Sequence, residues 1–314
     1  MDNHRSAIAS LAAAITKAAS KQTYYTIRLL VDRGLVNEAF LAYGYFRWVD
    51  DKLDSQIFSK SEKTRFISRQ KYILESCYRD SVPSDICIEE KMLVELVKSD
   101  RGDHPGLRSY LKNMMAILVF DANRHGALIS KDELSLYTQG LATAVTDAMH
   151  YFIGHDDPIP ADDECYSAVK AAHITHMLRD TSDDITLGYF NIPSEYLAQH
   201  KISPHDIEDP AFQSWACRRV KQAREDFKKG RQSLAKISSF RCRLVGFAYT
   251  ARFEWMLKTI EKENYCLRSQ YDERKGLSAS LWMGWNTIIS TFASPWTRKK
   301  PHATFARSSP MKES

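Results

Sequence analysis

Long stretches of this chain repeat apolar residues at three- and four-residue spacing, with no strand-like alternation of apolar and polar positions. The pattern predicts helices over about 6–19, 23–32, 36–53, 61–78, 86–99, 106–124, 131–153, 162–186, 211–236, 239–263 and 277–292. Four turn clusters separate them: Ser81-Val-Pro-Ser84, Gly102-Asp-His-Pro-Gly106, Gly154-His-Asp-Asp-Pro158 and Ser203-Pro-His205. None has the length or composition of an interdomain linker. The expectation is therefore all-α: a single helical domain over 1–294, then a Pro-, Ser-, Lys- and Arg-rich tail over 295–314.

Composition narrows the function classes. The 314 residues carry 44 Lys and Arg against 39 Asp and Glu, a formal charge of +5. The tail's Arg298, Lys299, Lys300, Arg307 and Lys312 against Glu313 account for +4 of it, so the body is almost neutral and no nucleic-acid partner is expected. The six cysteines form no C-x-x-C pair, which excludes a thiol redox centre or cysteine zinc site and suits a reducing, cytoplasmic setting. The longest apolar run, Met114 to Phe120, is far too short to span a bilayer. The first residues are too polar for a secretory signal and read as an exposed helix. Trp282, Trp285, Trp296 and the Arg298-Lys-Lys300 cluster have a composition that suits an anionic membrane surface, so a peripheral membrane contact is a second expectation for this end of the chain.

Two acidic clusters carry the chemistry. In Ala42-Tyr-Gly-Tyr-Phe-Arg-Trp-Val-Asp-Asp-Lys-Leu-Asp54, Asp50 and Asp54 are four residues apart and share a helix face, where like charges repel unless a cation lies between them. In Ala172-His-Ile-Thr-His-Met-Leu-Arg-Asp-Thr-Ser-Asp-Asp184, the residues His173, His176, Asp180 and Asp184 fall within about 80° on a helix. Either cluster alone is compatible with a solvated helix face. Two at equivalent spacing, each within a largely apolar helix, would form an oxygen-rich box suited to Mg²⁺ and a diphosphate if the helices face each other.

The strings Tyr43-Gly-Tyr-Phe-Arg47-Trp-Val-Asp50-Asp51-Lys-Leu-Asp54 and Leu178-Arg179-Asp180-Thr-Ser-Asp183-Asp184, the latter followed by Gly188-Tyr-Phe-Asn-Ile-Pro193-Ser-Glu195-Tyr-Leu197, resemble the two aspartate-rich motifs of the squalene and phytoene synthases. The resemblance extends over roughly residues 20–290, with Asp121 and the stretch Glu133 to Gly154 resembling the family's central helices. It implies an isoprenoid synthase-type helical bundle around a central cavity. It also implies a Mg²⁺-dependent prenyltransferase that ionises a prenyl diphosphate, farnesyl or geranylgeranyl, and joins two units head to head. Carried over by position, Asp50, Asp54, Asp180 and Asp184 are the metal ligands and His176 stands beside them. Tyr43, Arg47, Tyr137, His173, Arg179 and Phe253 are substrate-side candidates, with Arg47 and Arg179 either adding positive charge or pairing with neighbouring aspartates. Tyr43, Tyr137, Phe152, Phe247 and Phe253 are candidates for an aromatic lining that a carbocation requires. A reductive step would need NADPH; the chain has no G-x-G-x-x-G loop, and the family does not rely on one, so NADPH use stays open.

Four departures from the family pattern stand out. Asn37 stands where a basic residue is usual, Gly188-Tyr189 replaces Gly-Arg, His173 and His176 replace Gln and Asn, and Thr143 and Thr146 replace glycines. Fewer cations weaken the case for two bound diphosphates. Two alternatives follow: a terpene synthase-like conversion of one prenyl diphosphate, with His173 or His176 handling a proton, or a non-catalytic binding or assembly protein on the same fold. The four intact aspartates argue against the last, because buried carboxylates are costly without a use.

Overall fold

The structure is a computed structural model that describes residues 2–55, 57–100, 102, 104–155 and 163–293. The tail over 295–314, together with Asp103 and Asp156–Pro158 of two turn clusters, lies outside the described residues. Among the described residues there are thirteen α-helices and no strand. They are α1 (Asp2–Ala19), α2 (Lys21–Leu30), α3 (Val36–Asp54), α4 (Lys60–Cys77), α5 (Glu90–Lys98), α6 (Gly106–Arg124), α7 (Lys131–Ile153), α8 (Ser167–Arg179), α9 (Thr181–Thr186), α10 (Ser194–His200), α11 (Pro210–Lys236), α12 (Phe240–Lys262) and α13 (Leu277–Ala293).

Local chemistry explains most of the boundaries. Ser59 with Glu62 and Ser130 with Glu133 form reciprocal capping boxes that open α4 and α7. Asp209 accepts from the Ala211 amide and Pro210 sits at the first helical position, which starts α11 sharply.

Three differences from the sequence expectation have physical causes. The helix expected over 162–186 is divided: after a 3-10 turn, α8 ends at Arg179 and Asp180 leaves helical geometry (φ −97°, ψ 9°). The Thr181 hydroxyl donates to Met177 O at 2.8 Å, and Asp184 N still donates to Asp180 O at 2.8 Å, so the four-residue aspartate spacing survives the break. The short α10, closed by Lys201 in the left-handed region (φ 56°), has too few residues to show a period. Helix α1 is not an exposed appendage, because Ile8, Ala12 and Thr16 are buried and α1 packs along α3.

Packing places the two acidic segments. One apolar core joins α1–α7 and a second joins α8, α11 and α12 around Ile174, Phe212, Trp215 and Phe227. A small cluster of Ile129, Leu134 and Met177, with Phe120 and Tyr137 against it, brings α6, α7 and α8 together. Behind the first acidic segment, the fully buried Tyr45 donates to Gln70 Oε1 (3.0 Å), and Gln70 and Arg69 both donate to Glu90. This network ties α3 to α4 and α5. Helix α11 crosses α8 so closely that a Cβ on Gly230 would lie 2.4 Å from the Ala168 nitrogen.

An apolar cleft of about 220 Å³, open on one side, lies among α2, α3, α6, α7, α8 and α12, walled by residues such as Tyr43, Tyr110, Met149, Phe152 and Tyr249.

Candidate functional site

The C-terminal turns of α3 and α6, the first half of α7, the end of α8, α9 and the 187–191 loop surround a pocket of about 270 Å³. Asp50, Asp54, Asp121, Asp180 and Asp184 all line it. The loop is pinned from outside: Gly126 N donates to Gly188 O (2.9 Å), Ser194 N donates to Ile129 O (2.8 Å), and Ile129 bridges Pro193. Gly188 has φ +80°, and a Cβ there would also crowd the His125 ring at 3.3 Å.

The five carboxylates are not in equivalent environments. Burial, then the charge of Asp54, pushes Asp50 up to about 7. Burial, then the charge of Asp180, pushes Asp184 up to about 7, although Asn191 Nδ2 donates to Asp184 Oδ2 at 2.7 Å. Asp54 and Asp121 are also raised, chiefly by burial. Asp180 goes the other way. Burial raises it, but Arg179 donates to both of its oxygens (2.5 Å each) and His176 Nε2 lies 2.9 Å from Oδ2, so it is held well below the usual carboxylate range.

Among the described residues lining the pocket, Arg124 is the one Lys or Arg. Its Nε donates to Asp121 Oδ1 at 2.8 Å, and the Tyr137 hydroxyl donates to Asp121 Oδ2 at 2.8 Å. The guanidinium also lies over the rings of Phe120, Tyr137 and Tyr189, at 5.6, 5.1 and 5.0 Å from their centroids. Its Nη1 is buried without a protein partner. His173 is buried against the Tyr137 ring, neither of its nitrogens has a protein partner, and burial lowers it to about 3, so it is neutral at ordinary pH.

The structure thus brings together seven of the eleven sequence-selected residues: Asp50, Asp54, Asp180, Asp184, His176, His173 and Tyr137. The other four lie outside this pocket. Arg47 runs back along α3 to Asp50 and Asp51, and Arg179 is spent on Asp180. Tyr43 is on the wall of the apolar cleft, as is Phe152. Phe253 is buried in the α8/α11/α12 core, 6.1 Å from the His176 ring centroid. Among the eight other lining residues, Asp121, Arg124 and Asn191 carry charged or amide groups and have no site role assigned from sequence, although Asp121 belongs to the resemblance. The i,i+3 acid–base pair at the end of α6 is a signal for the first two; nothing local marks Asn191, which is carried in by the loop.

The donor set fits Mg²⁺. It is all carboxylate oxygen, and Asp50 and Asp184 are raised by burial and partly by the charge of a neighbouring carboxylate, a cost that a cation would relieve. Among the described residues no three acidic, histidine or cysteine side chains already converge on a single point. Mg²⁺ here would therefore complete its shell with water and phosphate oxygens, as it commonly does.

Comparison with known proteins gives a consistent picture. The family model for squalene/phytoene synthase matches residues 16–279. A presqualene diphosphate synthase of Zymomonas mobilis is 28% identical over 202 residues, covering 62% of this chain and 64% of that relative, so the match spans slightly less than two thirds of the relative's length. Among solved structures, squalene synthase HpnC from Alicyclobacillus acidocaldarius superposes with a TM-score of 0.65 at 16% identity, covering 83% of this chain and 96% of that one. A dehydrosqualene synthase in complex with ligand gives 0.65 at 14%, covering 93% and 96%. At these identities the structural likeness speaks for the fold, an isoprenoid synthase-type helical bundle.

Proposed function

The chain belongs to the squalene/phytoene synthase family, and from that premise we propose that it is a Mg²⁺-dependent prenyltransferase condensing two prenyl diphosphates head to head. One relationship carries the reading. The acidic pocket and the apolar cleft lie at two levels of the same helices, Ala42 and Asp50 on α3, Tyr110 and Leu118 on α6, Tyr137 and Val145 on α7, eight residues or about 12 Å of helix axis apart in each case. A molecule with a polyanionic head and a long apolar tail matches that division. We place the catalytic unit over residues 1–294, with the basic segment 295–314 appended to it.

Asp50 and Asp54 from α3 and Asp180 and Asp184 from the α8–α9 junction would hold Mg²⁺, which when bound neutralises charge growing on a leaving diphosphate. Arg124 lines the pocket and supplies a fixed guanidinium charge there, a further attraction for phosphate oxygens. Arg179 and His176 orient Asp180 and keep it ionised. Leu53, Leu118 and Met177 supply apolar surface that limits water around the head group.

A second reading, conversion of a single prenyl diphosphate, is favoured by Tyr189, which stands where the family usually places arginine and offers a ring to Arg124 instead of a second cation. One experiment separates the readings. Purified protein is incubated with Mg²⁺ and farnesyl or geranylgeranyl diphosphate, with and without NADPH, beside an Asp50→Ala, Asp180→Ala variant, and extracts are analysed by mass spectrometry. A doubled carbon skeleton absent from the variant is the expected result. A product with the substrate's own carbon count selects the second reading, and no metal-dependent turnover or binding removes both.

A further inference from the structure

Helix α13 is built the wrong way round for a surface helix. Its inward positions include Ala279, Thr287, Ser290 and Thr291, all buried, and the three hydroxyls donate to carbonyls four residues back at 2.7–2.8 Å. Its outward positions are Leu277, Leu281, Trp285, Ile288, Ile289 and Phe292, between 47% and 77% exposed. Their spacing of 4, 4, 3, 1 and 3 residues keeps them on a single face. Phe240, itself 46% exposed at the start of α12, extends the face through a ring contact with Phe292 at 5.7 Å. Helix α13 contains no Asp, Glu, Lys or Arg at all. A water-soluble surface ordinarily scatters its exposed apolar residues, and a continuous stripe of this kind marks a contact.

We propose that the outward face of α13 lies on an anionic lipid bilayer, with the helix parallel to the membrane plane. Charge complementarity selects lipid as the occupant. The sequence beyond α13 carries Arg298, Lys299 and Lys300, so positive charge follows the apolar helix along the chain, and Lys258 on α12 stands over the Trp282 ring at 5.5 Å. An apolar helical face with an aromatic residue and an adjoining basic cluster has both components of interfacial binding to anionic lipid. No described helix is long and apolar enough to cross a membrane, and a helix with one hydroxyl-lined face packed on protein is suited to lying in the interface. The inference stands on α13 and the basic cluster, independently of the reaction at the acidic pocket.

The test is vesicle co-sedimentation of the full chain with phosphatidylcholine alone and with phosphatidylcholine containing phosphatidylserine. The variants are Leu281→Ser with Trp285→Ser, and Arg298→Gln with Lys299→Gln and Lys300→Gln. Both sets change exposed or terminal positions, and circular dichroism and thermal unfolding verify that each variant folds as the parent does. The parent should sediment with the anionic vesicles. The α13 variant should lose roughly tenfold or more of its partitioning to either vesicle, since two large apolar side chains no longer enter the interface. The charge variant should lose binding to the anionic vesicles selectively, as added salt also would. A parent that stays in solution with both vesicles, or one whose binding ignores the α13 variant, overturns the proposal. So does a parent that is dimeric by light scattering, indifferent to vesicles, and made monomeric by the α13 variant, because the face is then a contact between copies.

Discussion

The Arg124 guanidinium lies 5.0 Å from the centroid of the Tyr189 ring, so a residue that replaces a family arginine is itself stacked on the pocket's own cation. Arg124 is fixed on its other side by Asp121, which also takes a hydrogen bond from Tyr137. The arrangement fixes the one Lys or Arg among the described pocket-lining residues beside Asp121, and its consequences can be measured.

Arg124→Gln should lower kcat/KM for a prenyl diphosphate about 10- to 100-fold, the effect of losing a charge-assisted contact of about 1.5–3 kcal/mol. The substitution also leaves Asp121 without its ion pair, so thermal unfolding of the same variant checks that the loss exceeds what reduced stability accounts for. Arg124→Lys should recover part of the activity, because it keeps the charge and loses the fork.

Tyr189→Arg should tighten Mg²⁺-dependent binding of inorganic diphosphate by about tenfold, since it adds a second cation beside the first. Isothermal titration calorimetry reads the change. Equal affinity in the two proteins would show that the loop does not aim this side chain at a bound phosphate.

The contribution of Asp50 and Asp184 to metal-free stability should fall as pH rises from about 4 to 7. His173, lowered by burial to about 3 from 6.5, acts in the opposite sense over the lower part of that interval, so the falling part is read as the difference from an Asp50→Asn, Asp184→Asn variant. Asp50 and Asp184 are raised to about 7 in the folded state against 3.8 unfolded, so the folded chain holds the extra protons in that interval and loses their benefit above it. The Asp50 side chain is 42% exposed, so solvent screening keeps its share of the effect modest. Mg²⁺ reverses the sign: with both carboxylates ionised, saturating Mg²⁺ should raise Tm more at pH 8 than at pH 6. Scanning calorimetry at both pH values, with and without Mg²⁺, tests this.

Gly230→Ala should destabilise the protein by about 1–3 kcal/mol, because the added methyl meets the α8 backbone at Ala168. Gly284→Ala is the control. Nothing lies within 4 Å of a Cβ there, and replacing glycine inside α13 should stabilise by about 0.5–1 kcal/mol. Denaturant unfolding of the two variants should therefore move in opposite directions.

Helical periodicity, capping residues such as Ser59 and Ser130, and the turn clusters by themselves determined an all-α chain and most of its boundaries, because these signals act within a few residues of where they are written. The two aspartate pairs were legible for the same reason: Asp50 with Asp54, and Asp180 with Asp184, are local spacings. The tertiary structure alone decided which partners each carboxylate met. Packing buries Asp50 and Asp184 and so raises both, and Asn191 arrives on a loop held by Gly126 and Ile129 from a distant part of the chain. It also decided that Phe253 belongs to a core and that Asp121 and Arg124 belong to the pocket, through helix crossings that no short window contains. The reversed faces of α13 were invisible to periodicity, which finds an apolar stripe but not the side of the helix that the protein covers.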